Sequence, residues 1–419
     1  MTSPTPKLVP RAWLTVALLW PVAFINFVDR TMVTTMHTSL VTAIHLTEAQ
    51  FGLLTSVFLW TYGIMIPMAG FLADRFNRRG VIIGSLIAWS LTTCLTAYVQ
   101  TFPQLLFMRV LLGIAESCYI PAALALIADY HPGPTRTFAM GVHQTGIVAG
   151  MMLGGLGGWI AESHSWQTAF TVLGLPGLVY GALLLGLLRE APKTAAVAGQ
   201  PAEPPARFGA ALAGLLGQRA FLLELAAVVV LGAGGWIIVG WLPTYIGERF
   251  HLSQGAAGFS ATAYLNGATG VGFILGGMWT SAWARTNIRS HIFVPVIGLC
   301  IAIPAMLLAA NAGTLVGAIT WLIVFGVSRT CFDVNLVPIL CLVSDPRYRA
   351  TGVGIISACS TFTGGFMIYF VGILRDHQVQ LGSIFNYMAG SLAICVVLLL
   401  MIRIPRAPAM PAPEPAQAG

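Results

Sequence analysis

The chain has 419 residues, 57% of them hydrophobic and only 8% Asp, Glu, Lys or Arg, with a mean hydropathy of +0.82 and a formal net charge of +7. Apolar stretches of about 20 residues or more recur from end to end, long enough to cross a bilayer as helices, so the composition specifies an integral membrane protein. The basic excess does not call for nucleic acid, because the arginines are scattered over short polar segments and gather on no single face.

In chain order, spans are predicted near 12–40, 49–72, 80–99, 103–129, 137–160 and 167–188, then near 220–246, 256–284, 290–310, 313–343, 350–374 and 379–402. That is an all-α protein of twelve transmembrane helices in two six-helix bundles, 1–188 and 220–405. Between them, 189–219 contains the Pro/Ala/Gly-rich string APKTAAVAGQPAEPPARFG and reads as a flexible cytoplasmic linker, and 406–419 reads as a disordered tail. The first span follows Lys7 and Arg11 but has no small-residue cleavage site, so it is expected to be retained. With both termini cytoplasmic, sixteen of the 21 Lys and Arg fall on the inner side, two (Arg249 and Arg375) on the outer side, and three lie within spans. The positive-inside rule therefore supports this topology in a cell inner membrane.

Six Asp, Glu or Arg residues lie deep inside apolar segments: Asp29, Arg30, Arg109, Glu116, Arg329 and Asp333. Each costs about 2.5–3.5 kcal/mol on insertion scales, so such residues usually face a polar cavity and carry function. Arg109 and Glu116 are seven apart and share a helix face about two turns from one another. Asp29 and Arg30 are adjacent, about 100° apart, and address different partners. Arg329 and Asp333, at i and i+4, can pair on one face, either as a structural bridge or with Arg329 clamping an anion. Permanent interhelical ion pairs are the plainer reading of all six. Weaker candidates for the cavity are His143, Gln144, Tyr245 and Asn335, each of which could equally glue helices together. Gly146, Gly150, Gly154 and Gly158 recur every four residues and fit close helix packing, and Glu224 lies near the start of the seventh span, within reach of the interface.

The halves echo one another. Arg136 and Arg349 are 213 residues apart, each ahead of a Gly-rich helix start, and at the same offset Glu116 falls on Arg329. Parallel repeats of this kind place a substrate between the halves. Only Lys7 and Lys193 are lysines, so the chain has no GxxxxGK[ST] nucleotide loop; HExxH and GxSxG are also missing, and no nucleophile–base set can be assembled within the spans. The seven cysteines lie within spans without CxxC pairing and read as packing residues, not metal ligands. An enzyme is not expected, nor is any cofactor, metal or nucleotide.

The loop GFLADRFNRRG, Gly70 to Gly80, resembles the GxLaDrxGRrr signature of the major facilitator superfamily, with Asn77 where the pattern usually has Gly; GMWTSAWARTNIRSH from Gly277 is a weaker echo. The resemblance implies a cytoplasmic gate of Gly70, Asp74, Arg75, Arg78, Arg79, Arg136 and Arg349 that latches the outward-open state, against the bland reading of positive-inside charge. NFVDR (Asn26 to Arg30) and RVLLGIAESCYIPAA (from Arg109) resemble patterns shared by the anion:cation symporters and the Spinster-type transporters; WLPTY (Trp241 to Tyr245) is similar to the first group and ESCY (Glu116 to Tyr119) to the second. By resemblance, Asp29 and Glu116 take up protons, Arg30 receives a substrate carboxylate, and Arg109 holds Glu116 ionised until it is protonated. The expectation is a monomeric, proton-coupled symporter of a small organic anion such as a sugar acid, with the proton as its only coupling ion. A Spinster-like lysolipid carrier is the alternative, and a non-transporting receptor or scaffold the third reading.

Overall fold

The computed structural model describes residues 10–131, 135–191 and 208–403, and these residues contain helices and no strand. The first half comprises α1 (Pro10–Thr35), α2 (His37–Ile44), α3 (Glu48–Arg75), α4 (Arg78–Thr96), α5 (Phe102–Ser117), α6 (Tyr119–Tyr130), α7 (Arg136–Met152), α8 (Gly155–Ser163) and α9 (Trp166–Leu187). A short α10 (Phe208–Leu216) precedes the second half: α11 (Arg219–Phe250), α12 (Gln254–Ala284), α13 (Ser290–Ala310), α14 (Leu315–Val343), α15 (Arg349–Asp376) and α16 (Leu381–Met401). The linker reading fails at α10, an apolar helix whose Leu215 is buried. Residues 192–207 and the tail 406–419 lie outside the described residues.

Among the described residues, ten segments are long and apolar enough to cross a membrane; the two remaining crossings are the broken pair α7–α8 and the Gly-rich α12. Local chemistry accounts for the starts and breaks. Thr47 and Gln50 form a reciprocal capping box at the start of α3. The fourth predicted span is two helices because Pro121 has no N–H to offer and its ring opposes the carbonyl of Ser117, the last residue of α5.

Within the first half, α7 and α8 lie against α1 along their small residues. A Cβ at Gly146 would stand 2.7 Å from the Trp20 carbonyl oxygen, and one at Gly157 2.5 Å from the Met32 Cβ, while Gly150 and Gly154 face Phe24 and Thr31. Such close approach fixes the rotation of α1 and with it the direction of Asn26, Asp29 and Arg30.

The hydrogen bonds that join the halves gather towards the end where α3 and α12 begin. Ser56 donates to the Gly365 carbonyl at 2.5 Å, Trp60 to Phe362 at 3.1 Å, and Thr262 to Met152 at 3.0 Å. At the tip, Gln254 exchanges two 2.9 Å bonds with Ser39. Asp376 accepts from the backbone N–H groups of Glu48 and Ala49 at 2.9 and 3.1 Å, and Glu162 accepts from that of Gly255 at 2.7 Å. This is the clasped end; the other, where α1 and α11 begin, is the arginine-rich end.

Candidate substrate and proton site

The four ionisable residues singled out in the first half converge. Arg30 donates from Nε to Glu116 Oε2 at 3.1 Å and from Nη2 to Asn26 Oδ1 at 3.4 Å, and its guanidinium lies 4.3, 4.6 and 5.3 Å from the ring centres of Tyr62, Phe27 and Phe58. Arg109 donates from Nε to the Leu54 carbonyl at 3.2 Å and lies 4.8 Å from the same Phe58 ring, with Nη1 and Nη2 free of hydrogen-bond acceptors. Asp29 is fully buried, accepting from Thr93 at 3.1 Å through Oδ2 while Oδ1 has no donor. Arg109 interacts electrostatically with both Glu116 and Asp29. Burying a lone charge costs several kcal/mol, so two carboxylates and two guanidiniums in one pocket depend on one another, and a proton gained by either acid leaves a guanidinium undercompensated.

Arg109 acts on Glu116 through charge alone, and the hydrogen-bonded partner of Glu116 is Arg30, from a helix 86 residues away, which the sequence pattern does not anticipate. Seven residues along a helix is a rise of about 10.5 Å, too far for Arg109 to match a neighbour that packs directly across from Glu116. Phe27, Phe58, Tyr62, Asn26 and Thr93 complete the pocket, and sequence reasoning did not select them. Apolar spans are full of aromatic residues, and only NFVDR, which contains Asn26 and Phe27, hinted at any of the five.

Arg329 and Asp333 form the i, i+4 pair at 3.2 Å, half-buried on α14, with the Arg329 Nη2 closing over Gly235 of α11. The weaker candidates are not brought to Arg30 by their polar groups. His143 Nε2 meets the Tyr119 hydroxyl at 2.8 Å, and that hydroxyl also bonds the Leu19 carbonyl at 2.9 Å, a junction of α7, α6 and α1. Asn335 bonds Thr280 and His291 at 2.9 Å, joining α14 to α12 and α13. Tyr245 spends its hydroxyl on the Ala310 carbonyl at 2.8 Å and lies near the clasped end, and Gln144 is exposed. Glu224, expected near the interface, is fully buried beside Leu340.

At the arginine-rich end the backbone of Gly70 and Asp74 belongs to α3, but the Asp74 side chain lies outside what the structure describes. Three of the expected gate arginines are bound within their own halves. Arg78 pairs with Asp129, the Arg79 backbone N–H bonds Glu190 at 2.9 Å, and Arg349 donates to the Cys341 carbonyl at 2.7 Å. Arg75 and Arg136 are exposed. In the loop before α15, the Arg347 side chain and backbone hold the Asp345 carboxyl down to about 2.

The profile of the Major Facilitator Superfamily matches residues 19–368. Spinster homolog 1 of Xenopus laevis is 26% identical over 89% of this chain and 74% of its own length, and the rat protein of that name is 27% identical over 87% and 73%. The protein named "probable galactarate/D-glucarate transporter GarP" of Escherichia coli is 29% identical over 44% of this chain and 43% of its own. Among solved structures, a bacterial homolog of the human lysosomal transporter Spinster, inward-facing and unoccupied, superposes with a TM-score of 0.76 at 22% identity, covering 94% of this chain and 95% of that one. The nucleoside transporter NupG superposes with a TM-score of 0.71 at 14% identity, covering 93% and 99%. Two six-helix halves, the first holding a buried charge cluster, and a profile match over most of the length, make this chain a member of the Major Facilitator Superfamily and a membrane transporter.

Proposed function

We propose that the protein is a proton-coupled symporter of a small organic anion, working by alternating access in a cell inner membrane with both termini in the cytoplasm. The observation that carries this reading is the 3.1 Å bond from Arg30 to Glu116. An ionised Glu116 occupies Arg30, and a substrate carboxylate competes for the same guanidinium. Protonating Glu116 removes that competitor, so anion and proton bind together, which is the requirement for symport. Asp29, fully buried behind Thr93, is the second proton carrier, and Arg109 is a fixed positive charge that favours the ionised acids. Arg329 is the guanidinium of the second half that meets the other end of the substrate once released from Asp333. With the clasped end taken as outer, this arrangement is the inward-facing state.

A second reading, a Spinster-like carrier of lysolipid using the same acids, is favoured by one observation. The Spinster relatives match 87–89% of the chain, whereas the sugar-acid carrier matches 44%. The test is a thermal-shift screen of the purified protein at two pH values against sugar acids, dicarboxylates and lysophospholipids, since a ligand of the folded state raises its melting temperature. A shift with one class that grows as pH falls supports the proton-linked reading and selects the substrate class. Shifts indifferent to pH in every class would overturn it.

A further inference from the structure

Each half carries the same groove at the arginine-rich end, between its first and last membrane-crossing helices. In the first half, Arg11 at the start of α1 and Arg189 just after α9 flank a cavity of about 220 Å³ walled by Leu14, Leu18 and Leu187, with Tyr130 at its edge. In the second half, Arg219 at the start of α11 and Arg403 just after α16 flank one of about 560 Å³ walled by Leu223, Leu400 and Met401. The helices behind the grooves are joined in parallel fashion as well. Tyr180 of α9 donates to the Leu18 carbonyl of α1 at 2.9 Å, and Cys395 of α16 donates to the Ala227 carbonyl of α11 at 3.4 Å.

The chemistry of the two grooves is specific. Each sets two guanidiniums above an apolar wall, and among the described residues neither lining contains an acid. Among the described residues, none of the four guanidiniums has an ion-pair or hydrogen-bond partner, whereas Arg78, Arg349 and Arg375 all do. Below them Leu14, Leu187 and Leu400 are half-exposed at the ends of membrane-crossing helices. A free phosphate would satisfy the guanidiniums and leave the leucines bare, and an uncharged lipid would do the reverse. A phospholipid with a net negative head group matches both, its phosphodiester held by the arginine forks and an acyl chain lying on the leucines.

We infer that these grooves are two pseudo-equivalent binding sites for anionic phospholipid, one per half, each fastening the first helix of its half to the last. The sites are independent of the substrate pocket and of what is transported.

Native mass spectrometry of the detergent-purified protein titrated with phosphatidylglycerol, phosphatidylcholine or glycerol phosphate tests this. Two phosphatidylglycerols are expected to be retained per chain, with phosphatidylcholine and glycerol phosphate held far more weakly. The double variants Arg11→Gln/Arg189→Gln and Arg219→Gln/Arg403→Gln should each lose one bound lipid, its affinity falling by a factor on the order of thirty. Arg285→Gln/Arg289→Gln, which removes two arginines of the same end outside the grooves, should retain both. Where a double variant unfolds, the single changes Arg11→Gln and Arg219→Gln give the same reading. An unchanged lipid count in folded groove variants, equal loss in the Arg285/Arg289 control, equal retention of phosphatidylcholine, or equally tight glycerol phosphate would each overturn the inference. Lipid binding that appears at the second groove only after residues 404–419 are removed would make the chain's own tail the occupant there, and would overturn it for that groove.

Discussion

Arg30 donates to Glu116 at 3.1 Å while its guanidinium lies beside the rings of Tyr62 and Phe27, so one arginine joins the acid of α5 to the aromatic wall of the pocket. The planar, delocalised cation can stack and hydrogen-bond at once, which an ammonium cannot. Its release from Glu116 is the step that a proton would control.

Glu116→Gln fixes the side chain neutral. Anion binding in this variant is expected to lose its pH dependence, and proton-driven accumulation should vanish while substrate exchange across the membrane persists. Proteoliposomes with an imposed pH gradient measure accumulation, and counterflow without a gradient measures exchange. Wild-type uphill uptake would remove Glu116 from coupling.

Arg30→Lys keeps the charge but loses the fork and the ring stacking. Hydrogen bonds to charged groups contribute about 1.5–3 kcal/mol, so substrate affinity should fall at least tenfold. Calorimetry on a variant with the wild-type melting temperature checks this, and an unchanged dissociation constant would assign Arg30 to structure alone.

The charges of this site were legible because an Asp or Arg inside an apolar run is costly and rare; their pairing was not. Arg109 and Glu116 share a helix and looked like partners, yet which side chain meets Glu116 depends on how α1 rotates against α5, and that rotation is set by glycines of a third helix, α7. His143, Asn335 and Tyr245 show the same limit. A polar residue in a span reads alike whether it lines a cavity or bonds a neighbouring helix, and here each bonds a neighbour. Glu162 and Asp376 escaped notice because acids at span ends contribute little to topology, and nothing in a linear string shows that each reaches a helix start in the opposite half.

The glycine contacts yield a stability contrast. Gly150→Val places a side chain against the Phe24 backbone and should destabilise the protein by about 1–3 kcal/mol through overpacking, displacing α1 and the residues it carries. Gly141→Ala, on the same helix with open space at its Cβ, should be neutral or stabilising by up to about 1 kcal/mol. Thermal unfolding in detergent separates them; equal melting temperatures would mean that α7 tolerates displacement from α1.

The clasped end supplies the last expectation. Asp376, ending α15, caps α3 of the other half through the N–H groups of Glu48 and Ala49, and Glu162, near the end of α8, caps α12 through that of Gly255. Each bond satisfies a backbone donor that no helix can satisfy internally at its start, and sets a negative charge on the positive end of the helix dipole. Both exist only while this end is closed. Losing one cap costs about 1 kcal/mol, so Asp376→Ala with Glu162→Ala should weaken the closed state by roughly 2 kcal/mol, a shift of about thirtyfold towards the state open at this end. Arg375 would remain, bonded to Glu248 and 3.7 Å from Glu48, so the double variant should still close part of the time. Spin labels at Ala43→Cys and Arg249→Cys, one in each half at this end, in a background without the seven native cysteines, report the separation directly. A new long-distance population in the double variant, smaller in either single variant, is the expected result. Distance distributions identical to the parent would show that the two carboxylates stabilise their helices without holding the halves together.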